Sequence, residues 1–147
     1  MRTCLVGSEM CIRDRVGTHD GFERSHGIIH HRKLYLKTGG ANLRGADHLE
    51  YTGAPGEIPN LAVIRFHLHP KVTAAMLANG SVLMKIRGSR VGWNFKADGA
   101  IAEIDNSVYF EDGVRQSSQQ IVLKAVINDI RTTGSHEVRW AFSRGTQ

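Results

Sequence analysis

A chain of 147 residues has room for one domain with a single sizeable core. Hydrophobic residues at 41% and charged residues at 22% exclude a disordered chain, and no apolar run nears the roughly 18 residues of a membrane-spanning helix. The net charge of +5 suits an anionic partner without requiring one. Both cysteines, Cys4 and Cys11, sit in the first fifteen residues, which excludes a disulfide framework or a cysteine-based zinc site in the body.

In chain order, residues 1–15 come first. They lack the basic start, apolar stretch and cleavage site of a signal peptide, and they show no strand alternation. The string Gly7-Ser8-Glu9-Met10-Cys11-Ile12-Arg13-Asp14-Arg15 resembles the conceptual translation of a sequencing adaptor. Residues 1–15 are therefore expected to be an artefact or a disordered tail. Residues 16–147 are expected to be the domain, a fragment whose upstream part is missing.

From Ile28 onward the pattern is strand, turn, strand. Ile28 to Leu36 leads through Gly39-Gly40 into Leu43 to Tyr51, and the proline- and glycine-bearing stretch Thr52 to Asn60 reads as a loop. Ala62, Ile64, Phe66 and Leu68 alternate with Val63, Arg65, His67 and His69, which is a period of two. Val72 to Ala78 and Ser81 to Arg87 flank Asn79-Gly80, the pair favoured by a type I′ hairpin turn. Val91 to Ala97, Ile101 to Phe110, Ser117 to Ile127 and Glu137 to Ser143 complete the set, with Asp98-Gly99, Asp112-Gly113 and Gly134 as turns. The expected fold is all-β, an antiparallel β-sandwich of eight or nine strands.

Several of these segments also resemble a known family. His19-Asp20-Gly21-Phe22, Gly27 to Leu36 and Leu43 to Glu50 are similar to the C-terminal region of heparinase II/III-like proteins. The later pieces agree in order: Ile64 to Pro70, Gly92-Trp93-Asn94-Phe95, Ser107 to Phe110, Gln120-Ile121-Val122 and Val138 to Ala141. Phe22 stands where that family often has tyrosine, and Ala46 where it often has an acidic residue. The resemblance implies an α/α toroid followed by a β-sandwich, in polysaccharide lyases that cleave uronic-acid-containing chains by β-elimination. It implies an acidic polysaccharide as the parent's substrate, a missing N-terminal toroid as partner, and a periplasmic or envelope location for the parent. The family's catalytic residues and metal ligands lie upstream of the part matched here. No catalytic residue, metal ligand or cofactor is therefore assigned to this chain, and alone it is expected to lack lyase activity.

The eight histidines invite other readings. His67-Leu68-His69 places two imidazoles on one strand face, half of a zinc site that His30, His31 or His48 would have to complete. The competing reading makes them outer-face or hydrogen-bonded core residues. His19, Asp20 and His26 precede the first clear strand, where a loop can face substrate or a neighbouring domain; Asp20-Gly21 otherwise reads as turn chemistry. His30-His31-Arg32-Lys33 reads either as a cationic patch for an anionic glycan or as a solvated strand face. The candidate substrate-binding residues are thus His19, His30, His31 and Arg32.

Trp93 and Trp140 sit in alternating apolar faces and read as core. No His–Tyr pair has a spacing that would join both at one cleft. A nucleophile elbow, a phosphate-cradling loop and a nucleic-acid module are all absent from the sequence. The alternative function is a free-standing carbohydrate-binding or interaction module.

Overall fold

The computed structural model describes residues 12–145, which form ten strands and two single-turn helices. In chain order these are β1 (Ile12–His19), α1 (Glu23–His26), β2 (Ile28–Lys37), β3 (Asn42–Tyr51), β4 (Leu61–His67) and β5 (Val72–Met76). There follow β6 (Val82–Ile86), β7 (Gly92–Asp98), β8 (Ile101–Glu111), β9 (Val114–Val126), α2 (Ile130–Thr133) and β10 (Ser135–Arg144). One sheet has seven strands in the order β1-β2-β3-β10-β7-β6-β5, and the other has three in the order β4-β9-β8. All pairings are antiparallel. The fold is the expected all-β sandwich, with β1 added to the nine strands read from the sequence.

The addition has a local cause. Arg13, Asp14 and Arg15 carry charge on both faces, so β1 shows no apolar alternation. It is held instead by its ladder with β2, from Ile12 opposite Lys37 to His19 opposite His30. Residues 12–15 therefore belong to a sheet, although they fall in the stretch expected to be artefact. The rest of that stretch, residues 1–11, lies outside the described residues.

Two turns also differ from expectation. Asn79-Gly80 does close a hairpin, but the connection runs from Leu77 to Ser81 and only Gly80 has positive φ, at 78°. Asn79 instead accepts hydrogen bonds from the backbone N–H and hydroxyl of Ser81 through Oδ1. The two-residue turn falls at Asp112-Gly113, with φ of 51° and 77°. Asp98-Gly99 does not return the chain to its own sheet, because β7 and β8 lie in different layers.

Alternation buries one face of each sheet. Val82, Met84, Phe95, Val138 and Trp140 meet Ile121, Leu123 and Ala125 from the opposite layer. Burying each large side chain of this kind is worth about 1.5–3 kcal/mol. Phe66 on β4 sits in the middle, its ring 4.8 Å from Trp140, 5.3 Å from Phe95 and 5.4 Å from Phe142. Ile127 and Ile130 are buried with them in the same cluster. Trp140 is core as expected, and Trp93 packs against that core.

Candidate functional site

The period of two that builds β2 also divides its charged residues. Ile28, His30, Arg32 and Leu34 belong to the inner face, whereas His31, Lys33, Tyr35 and Lys37 belong to the outer one. The run His30-His31-Arg32-Lys33 is therefore not one cationic patch. It supplies two different sites on the two faces of a sheet.

On the inner face the focus is Asp47 of β3, which is 1% exposed. Its Oδ1 accepts from His30 Nε2 and from Arg32 Nε, each at 2.6 Å, and its Oδ2 accepts from Trp140 Nε1 at 2.7 Å. The register creates this convergence: Arg32 lies opposite Asp47 on one side and Val138 opposite it on the other, two positions before Trp140. Trp140 reaches the carboxylate by lying over Gly45, where a Cβ would overlap its six-membered ring. Burial alone would raise the Asp47 pKa, but the three donors and the Arg32 charge outweigh it and hold the carboxyl at about 2. The aspartate is thus an anion locked in place.

His30, Arg32 and Asp47 line a cavity of about 520 Å³ between β2, β3 and β4, whose other walls include Phe22, Leu49 and Ile64. His26 closes one side, its Nδ1 2.7 Å from the carbonyl of Glu57. His19, the remaining candidate, is exposed at the end of β1, its ring 5.5 Å from that of Phe22. His31 faces outward, with Nε2 2.9 Å from Glu50 Oε2 and Nδ1 3.0 Å from Thr18 Oγ1. The structure thus joins His30 to Arg32, sets His19 opposite His30 at the rim of that cavity, and turns His31 to the other face.

The His67 and His69 pair does not gather further imidazoles. His67 Nδ1 is 2.8 Å from Ser107 Oγ, and His69 Nδ1 accepts the backbone N–H of Lys71 at 3.1 Å. Among the described residues, no group of three or more His, Cys, Asp or Glu is placed to hold a metal ion. That donor set does not fit a metal. One His–Tyr pair does meet, outside both cavities. His69 and Tyr109 pack edge to face at 4.8 Å, forty residues apart in sequence. Sequence spacing misses this pair because the contact is made within the three-stranded sheet, between the end of β4 and β8 on either side of β9, rather than along one strand.

On the outer face of the seven-stranded sheet lies a wide depression of about 1050 Å³. Its floor is low because β3 and β10 present Ala46 and Ala141 outward, while Lys33, Tyr35 and Lys37 of β2 and Lys96 of β7 stand higher on either side. Arg44 and Arg139 complete its cations. Arg139 is paired with Glu137 at 2.5 Å, which raises its pKa. Asp47 and this trough were not among the residues picked out from sequence. The stripe Lys33-x-Tyr35-x-Lys37, at strand period, was the available signal.

The comparisons with known proteins agree with this fold. A family model described as heparinase II/III-like, C-terminal, matches residues 8–141. FtsZ-localized protein C from Caulobacter vibrioides (strain NA1000 / CB15N) is 34% identical over 133 residues, covering 86% of this chain and 22% of that protein. The solved heparinase III-BT4657 gene product has a TM-score of 0.69 at 9% identity, over 92% of this chain and 20% of its own; this likeness is one of fold alone. The chain thus spans about a fifth of the length of both. With residues 8–141 matched end to end, the chain belongs to the heparinase II/III-like C-terminal family.

Proposed function

We propose that this chain is the C-terminal β-sandwich of a longer heparinase II/III-like protein that cleaves an acidic, uronate-containing polysaccharide by β-elimination, and that the sandwich braces the catalytic part. The family match over residues 8–141 carries this reading. The polar chemistry of the inner site supports a bracing role: its carboxylate is buried and consumed by three donors of the same fold, so it is not poised to take a proton. β-Elimination needs a base for the C5 proton, an acid for the leaving oxygen and neutralisation of the uronate carboxyl around one sugar. The His69–Tyr109 contact supplies two of the right side-chain types, but neither residue lines the two cavities described above.

The test is the ultraviolet absorbance of the unsaturated uronate product, with heparan-type, chondroitin and alginate substrates. The expected outcome is no product from this chain above a boiled control, and product from the longer protein. Product from the chain alone would overturn the bracing role and direct mutagenesis to His69 and Tyr109 first.

A second reading is favoured by the relative named FtsZ-localized protein C. On that reading the chain is an interaction module and its protein is localised with FtsZ, instead of the periplasmic or envelope location that the family resemblance implies. Direct binding of purified FtsZ to the chain, with no lyase product from the longer protein, would select it.

A further inference from the structure

We infer that the outer face of the seven-stranded sheet is a binding surface for an anionic, uronate-containing glycan, laid across the strands over Tyr35, Arg44, Ala141 and Lys96. The class of polyanion rests on the function proposed above; the location rests on the geometry. Tyr35 is opposite Arg44, Arg44 is opposite Ala141, and Ala141 is opposite Lys96, so the four form one row from β2 to β7. Three strand spacings make this row about 14 Å long. Lys33 and Lys37 flank Tyr35 on β2, one step to either side of the row.

The charge on this face is unbalanced. Among the described residues, no ion pair involves Lys33, Lys37, Arg44 or Lys96. Among the described residues, Arg44 spends only its Nε, donated to Asn42 Oδ1 at 2.9 Å. The acids nearby are largely committed: Glu137 bonds Arg139, Asp98 also acts on that arginine, and Glu50 bonds His31. Asp14 on β1, opposite Tyr35, marks the end of the row.

A carboxylate or sulfate arriving at Arg44 therefore meets a guanidinium whose terminal nitrogens have no partner among the described residues and can grip it in a fork. Lys96 offers a second charge two strand spacings away, about 10 Å, across a floor of alanine methyls. That separation is of the order of a disaccharide repeat. Tyr35, 36% exposed, begins the row, and its ring offers an apolar surface with a polar tip, as a sugar ring does. An extended, stiff and regularly charged chain fits such a row better than a compact anion.

The test measures binding of polygalacturonate and of heparin oligosaccharides to the full chain by calorimetry at low and high salt. Binding is expected to weaken with salt and to fall at least tenfold in the double variant Arg44→Glu, Lys96→Glu. Arg115→Glu, on the hairpin of the other sheet, is expected to leave it within twofold. Should the double variant misfold, amide shift mapping on the unmodified chain decides, with perturbations expected on β2, β3, β10 and β7 around the row. Absence of binding at millimolar glycan overturns the inference. So does an equal loss in Arg115→Glu, shifts confined to another face, or tighter binding of polyglutamate or duplex DNA than of either glycan. Failure of lyase activity in the longer protein would count against its catalytic role and not against this face, which is judged by binding alone.

Discussion

Asp47 is a buried carboxylate that ties β2, β3 and β10 together through three hydrogen bonds. Its carboxyl is held at about 2, against an ordinary value of 3.8, so the folded state favours the ionised form more than the unfolded chain does. The sign follows: this stabilisation is complete above about pH 4 and is lost as pH falls through about 2. A shift of this size corresponds to about 2 kcal/mol. Thermal melts of the chain between pH 6 and pH 2 are expected to show that loss, and Asp47→Asn is expected to melt lower at pH 6 and with a shallower acid dependence. An acid profile unchanged in Asp47→Asn would show that another group controls it. Arg32→Ala acts on the same clamp, so a loss of glycan binding in that variant reports folding as much as contact. Lys33, pointing the other way, is the cleaner probe.

At the scale of elements, the approach of β10 to β3 depends on Gly45. It leaves space for the Trp140 ring that reaches Asp47, and its φ is not in the left-handed region, so the constraint is one of volume. Gly45→Ala is expected to destabilise the chain by about 2–4 kcal/mol, because the ring must shift off its hydrogen bond and its packing on Phe66 together. Denaturant unfolding of that variant measures it, and a change under 0.5 kcal/mol would show that the indole has room to move. Nine of the ten strands were legible from alternation and from the turn residues between them. β1 was not, because its stability lies in a ladder with β2 rather than in apolar side chains. The Asp47 clamp was illegible for a related reason. His30, Arg32 and Trp140 are brought to one carboxylate by strand register, and register is not written in any short stretch of sequence. The outer stripe of β2 was readable at period two, but its importance depends on Arg44 and Lys96 falling into the same row from distant strands.

For the molecule as a whole, the two sheets present contrasting outer surfaces. The seven-stranded sheet carries the cationic trough, whereas one end of the three-stranded sheet exposes Leu61, Val63, Ile101 and Val126 at 44%, 44%, 69% and 56%. These residues pair through Lys124 and one another across β4, β9 and β8, which makes them neighbours. An apolar surface of this kind, on a chain spanning about a fifth of its relatives' length, is where the proposed catalytic part would dock. The chain alone is expected to self-associate in light scattering, and Val63→Lys with Ile101→Lys is expected to reduce this. A monodisperse wild-type monomer would count against docking at that surface. The position of β10 has a consequence for the order of assembly. This strand lies between β3 and β7 and, among the described residues, is the one strand that joins the β1-β2-β3 and β7-β6-β5 ribbons. During synthesis it is the last of the ten to leave the ribosome. Until it does, the nascent chain holds two unjoined ribbons, and Asp47 waits without its indole partner. Closure of the large sheet is therefore a late, long-range event, the kind of topology that folds in milliseconds to seconds.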